Sequence, residues 1–139
     1  MQRIVVAAKA GADQPWLADA AAELAGQSGA VVDVVSADGL DIEAFSTVPR
    51  SEAAGPARES AEAVAGHLRA QGIQAEAHML HGLPVRSVLL FAEDREADLI
   101  IAGGSTRGPV ARRVLGSVPI ELIRRARRPV LVVTPPSGS

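Results

Sequence analysis

Apolar positions in this chain fall into short continuous runs separated by longer segments with helical spacing. Residues 4–8, 31–35, 98–102 and 129–134 are rich in Val, Ile, Leu and Ala with little alternation, the pattern of strands covered by helices on both faces. The first of them is expected at the centre of a sheet. A fifth run, 73–79, alternates in part and is expected at a sheet edge. Between the runs, residues 13–27 place Trp16, Leu17, Ala20, Ala21, Leu24 and Ala25 on one helical face, with Asp13 as cap and Pro15 in the first turn. Gly29 stops that helix. A second helix is predicted from about Pro56 through Ala61, Val64, Ala65 and Leu68 to Gln71, ending at Gly72. A third follows Gly82-Leu83-Pro84 and carries Val85, Val88, Leu89 and Ala92, and the last shows Pro119, Leu122, Ile123 and Ala126 at helical spacing.

Strands alternating with helices read as βαβ units, whose right-handed crossovers give parallel strands with helices on both sides. The expectation is one α/β domain over residues 1–134, a doubly wound five-stranded parallel sheet of order 3-2-1-4-5 with two helices on each face. Residues 36–55 lose all periodicity and read as a long excursion, and residues 135–139 as a disordered tail. In such sheets a ligand crevice opens beyond the carboxyl ends of the strands where the order reverses. Here the loops after Ala8 and Ala102 border it.

Composition narrows the function. Hydrophobic residues make up 47% of the chain and aromatic ones 2%, so the core must be aliphatic. A net charge of -2 without any Tyr argues against single-strand nucleic-acid binding, which stacks bases on aromatics along a basic groove. The absence of cysteine removes disulfides, thiolate nucleophiles and thiolate metal sites. The apolar run near Met1 is too short for an export signal or a membrane span, and a cytoplasmic location is expected.

The candidate chemistry lies in Gly103-Gly104-Ser105-Thr106-Arg107-Gly108 and, further on, Gly116-Ser117. Glycines let backbone amides approach an oxyanion, and a helix amino end adds unpaired donors and positive dipole, so phosphate is the natural guest. The strand 98–103 before this loop, the Gly116-Ser117 pair and the closing Pro129-Val130-Leu131-Val132-Val133 together resemble the universal stress protein family. In that family a G-x-x-G loop is followed after nine residues by G-[S/T], a helix and a final strand. Upstream, Gly82-Leu83-Pro84, Val88, Ala92 and Ala97-Asp98 are similar to its third helix.

The resemblance implies an adenine-nucleotide-α-hydrolase-like fold and a regulatory module that binds ATP, with magnesium only alongside ATP. Gly103 would hold the turn, Gly116 and Ser117 would meet the phosphates, and Gly104, Ser105, Thr106, Gly108 and Lys9 would complete the site. It also implies a homodimer through Val130, Leu131, Val132 and Val133, an apolar strand expected at a sheet edge. Two positions depart from the family pattern. Thr106 stands where the second loop glycine belongs, and Lys9 stands where nucleotide-binding members carry Asp. A ligand-free dimeric interaction module with a decayed site is therefore the alternative, and a slow ATPase a third reading.

Other features carry less chemistry. His78 and His81 would not share a helical face, and no metal site is expected from them. His67 is assigned to the exposed side of its helix. Arg124, Arg125, Arg127 and Arg128 complement a helix carboxyl end. No nucleophile elbow or catalytic triad is recognisable.

Overall fold

The computed structural model describes residues 1–39, 50–104 and 116–136. The described elements run β1 (Arg3–Ala7), α1 (Pro15–Ser28), β2 (Val31–Ala37), α2 (Arg50–Ala70), β3 (Ala75–Leu80), α3 (Pro84–Asp94), β4 (Leu99–Gly103), α4 (Ser117–Arg125) and β5 (Val130–Val133). The sheet has five strands in the order β3-β2-β1-β4-β5, and every pairing is parallel, as expected from the βαβ alternation.

The continuous apolar runs follow from double coverage. Along β1, Ile4 and Val6 face the α1/α2 layer while Val5 faces the α3/α4 layer, and all three are fully buried. Leu17, Ala21 and Ala25 of α1 pack with Ala61, Ala65 and Leu68 of α2 on the first side. Val88 and Ala92 of α3 and Leu122 of α4 close the second. Alanine at so many helix–sheet contacts lets the layers approach closely, and the core is aliphatic as the composition requires.

Several boundaries differ from the sequence reading. Helix α2 begins at Arg50, so Pro56 lies inside the helix rather than at its start. The cap of α1 is Gln14, not Asp13. Pro15 takes the first helical position, and the Gln14 carbonyl accepts from the N–H groups of Leu17 and Ala18. Ile123 is 52% exposed instead of joining the apolar face. The nine-residue α4 buries only Pro119 and Leu122, a stripe too narrow to take in the residue beside Leu122. The tail residues 137–139 and most of the excursion, 40–49, lie outside the described residues.

Candidate functional site

The strand order reverses between β1 and β4, which lie side by side with Ala7 opposite Ala102. The helices that follow these strands, α1 and α4, pack on opposite faces of the sheet, the arrangement in which a ligand crevice is expected at the carboxyl edge. Lys9 stands on the β1 side. Its side chain is exposed and makes no ion pair among the described residues. Three hydrogen bonds hold the loop that carries it: Ala12 N–H donates to Lys9 O at 3.1 Å, Gly11 N–H to Ser60 Oγ at 2.9 Å, and Lys9 N–H to Gln14 Oε1 at 3.0 Å. Ser60 is itself buried in α2, so the loop is fixed to a helix of the core as well as to itself.

On the β4 side, Gly103 ends the strand and Gly104 N–H donates to Val133 O at 2.8 Å, tying the turn to β5. Gly103 is glycine for lack of space. A β-carbon there would lie 2.5 Å from Gln14 Nε2 and 2.8 Å from the Trp16 ring, both closer than carbon contacts allow. The carboxamide of Gln14 thus reaches from the Lys9 backbone to the Cα of Gly103 and bridges the two sides of the crevice. Sequence reasoning placed Trp16 on the core face of α1 and gave Gln14 no role. The only sequence signal was the polar residue directly before Pro15, at the start of a helix that borders the crevice.

Gly116 and Ser117 open α4. Gly116 has φ of +101°, a conformation that only glycine adopts without strain, and Ser117 is exposed at the first helical position. Among the described residues no side chain caps this helix, and no acid lies in its first turn. The N–H groups of Ser117 and Val118 have no intrahelical acceptor, and the positive end of the dipole faces no acid within the helix's own first turn. Of the residues assigned to the site from sequence, the structure places Lys9, Gly103 and Gly104 at the switch point and Gly116 and Ser117 at the start of α4. Ser105, Thr106 and Gly108 lie outside the described residues.

The histidines are divided among different acids. His67 pairs with Asp19 at 2.8 Å and joins α1 to α2, His81 Nδ1 lies 2.8 Å from Asp38 Oδ2, and His78 Nε2 lies 2.9 Å from Asp33 Oδ1. Asp33 was missed in the apolar run of β2. It is 2% exposed, accepts from the Arg3 guanidinium, and has Arg95 at 3.8 Å. Phe91 packs against both the His78 ring and the Arg95 guanidinium, each at 4.9 Å. Asp33, Glu76 and His78 bring ligand atoms within 4.8 Å of one another. Two guanidinium groups already stand on the central carboxylate, so a divalent ion would meet cations rather than free acid. The group is an ion-pair network that joins β1, β2, β3 and α3.

Two clefts lie at the opposite, amino edge of the sheet. One of about 420 Å³ is bounded by Glu93, Asp98, Arg127 and Arg128. Its charges largely satisfy each other: Arg128 bonds Glu93 and the Ala97 carbonyl, and Asp98 Oδ2 accepts from Gln2 N–H at 2.7 Å and Arg3 N–H at 3.0 Å. Those two amides, Gln2 first, hold the Asp98 carboxyl below the usual carboxylate range. The second, smaller cleft is lined by Arg3, Asp33, Glu76 and Arg95 of the ion-pair network. Neither offers the unfilled donors found at the carboxyl edge.

Comparison with known proteins agrees with this fold. The model of the universal stress protein family matches residues 1–134. The universal stress protein Rv1636 of Mycobacterium tuberculosis is 30% identical, over 94% of this chain and 95% of its own. The universal stress protein of Archaeoglobus fulgidus solved in complex with dAMP superposes with a TM-score of 0.73 at 26% identity, covering 95% of this chain and 97% of that one. Another universal stress protein, solved in complex with cAMP, superposes with a TM-score of 0.68 at 27% identity, covering 96% of each chain. Matched by the family's model over nearly its whole length and by a relative of equal span, the chain belongs to the universal stress protein family.

Proposed function

We propose that this protein binds an adenine nucleotide, ATP first among them, in the crevice between β1 and β4, and that it acts as a regulatory module rather than an enzyme. The observation that carries the reading is the positive potential about the switch point: the exposed Lys9 ammonium, without an ion pair among the described residues, the Gly103-Gly104 end of β4 and the start of α4, uncapped among the same residues. Each favours an anion, and a phosphate can accept from all three kinds of donor. The dAMP and cAMP complexes of the two structural relatives support the adenine part of the reading. Magnesium would accompany ATP only. Residence in the cytoplasm and a homodimer through Val130 to Val133 belong to the same proposal.

A second reading is a dimeric interaction module whose nucleotide site has decayed. Gln14 and Trp16 lying on Gly103 favour it, because they occupy space at the crevice floor, and so does Thr106 at the second loop glycine. Calorimetric titration of protein freed from carried-over nucleotide separates the two. On the first reading ATP binds, and Lys9→Glu weakens it about tenfold, equivalent to about 1.4 kcal/mol. If neither the parent nor Thr106→Gly binds ATP at millimolar concentration, the interaction module takes its place. ADP accumulating during the titration would instead indicate a slow ATPase.

A further inference from the structure

We propose that Gln14 is a ligand-contacting residue whose carboxamide N–H donates to a phosphoryl oxygen held against Gly103. The inference rests on the nucleotide reading and names the residue that favours phosphorylated over unphosphorylated ligands.

Orientation comes first. Lys9 N–H can only donate, so the atom of Gln14 that faces it at 3.0 Å must be the oxygen. The nitrogen is then turned towards Gly103, 2.5 Å from the point where a β-carbon would sit. Gln14 is 9% exposed, and its Nε2, which is not sealed from solvent, donates to no acceptor among the described residues. That N–H is therefore open to an arriving oxygen, which would take the place of solvent on it. The acceptor must approach beside Gly103, on the edge where Lys9 supplies a cation and Gly104 follows the strand. An anionic phosphoryl group answers both the donor and the charge. The same carboxamide fixes the Lys9 loop through its oxygen, so loop order and ligand contact reside in one side chain.

The substitution Gln14→Glu divides these roles. It keeps an oxygen for Lys9 N–H, which preserves the loop, and replaces the donor with a negatively charged oxygen beside Gly103. Titrations with ATP, tripolyphosphate and adenosine should show the dissociation constants of the first two rising at least tenfold, with adenosine unchanged. A uniform change across all three, or none, overturns the proposal. An NMR measurement on the parent protein covers the case in which the variant folds poorly. The side-chain NH₂ resonances of Gln14, assigned in the parent by through-bond correlation to its own backbone, should shift when tripolyphosphate is added. If ATP binds and these resonances stay in place, the Gln14 contact is wrong while the nucleotide reading stands. If tripolyphosphate shifts them and ATP binds no better than tripolyphosphate, the contact stands and the nucleotide reading fails. Binding of none of the three ligands overturns both.

Discussion

At Gly103 the absence of a single methyl group decides how two loops meet. Nothing in its backbone demands glycine, but Gln14 and Trp16 lie where a β-carbon would project. Gly103→Ala should therefore cost about 1–3 kcal/mol through overpacking, read as a lower urea midpoint, with a shift in the fluorescence of the one tryptophan, Trp16. An unchanged midpoint would mean that the side chains move aside freely. Asp98 acts at the other edge. The N–H groups of Gln2 and, second, Arg3 lower its pKa in the folded protein. Its contribution to stability is therefore complete above the ordinary carboxylate range and is lost as pH falls through the depressed folded value. Asp98→Asn should be less stable than the parent at pH 7, and the gap should narrow below about pH 3, under the ordinary aspartate value. A gap that is constant with pH would contradict the clamp.

At the scale of elements, what could be read from the sequence was whatever a repeating pattern or a backbone restriction announces. The continuous runs of β1, β2 and β4 reveal strands buried on both faces, Pro84 starts α3 at its first position, and Gly116 precedes α4 with the positive φ it alone tolerates. Features that depend on a partner distant in sequence gave no such sign. Asp33 looks like an interruption of β2 until Arg3, His78 and Arg95 gather on it from three other parts of the chain. Asp13 has the better capping side chain, yet the Gln14 position wins the cap because Pro15 follows it and fixes the first helical residue. The switch-point glycines stood out in the sequence, whereas the steric role of Gly103 towards Gln14 did not. Ser60 is a case of the same kind, a polar residue of α2 that holds the Lys9 loop through Gly11. Ser60→Ala should cost about 1 kcal/mol of stability and weaken ATP binding several-fold as the loop loosens. Titration of the variant checks this, and unaltered affinity would show that loop order is set by Gln14 alone.

For the whole molecule, β5 closes one edge of the sheet and pairs only with β4 among the described strands. Its Leu131 is 39% exposed, an apolar side chain on an open ladder, and the proposed homodimer would cover it. Leu131→Lys should leave folding stability within about 0.5 kcal/mol, as for a surface change, and yield monomers by light scattering at micromolar protein concentration. A mass unchanged from that of a dimeric parent would place the interface elsewhere. The most direct test of the account as a whole is the location of nucleotide on the protein. Amide chemical shifts of uniformly ¹⁵N-labelled, nucleotide-free protein should change on addition of ATP at Lys9 to Gln14, Gly103, Gly104, Gly116 and Ser117, and remain fixed at Arg3, Asp33, Asp98 and Arg128. Shifts confined to the amino edge of the sheet, or no shifts at millimolar ATP, would contradict it.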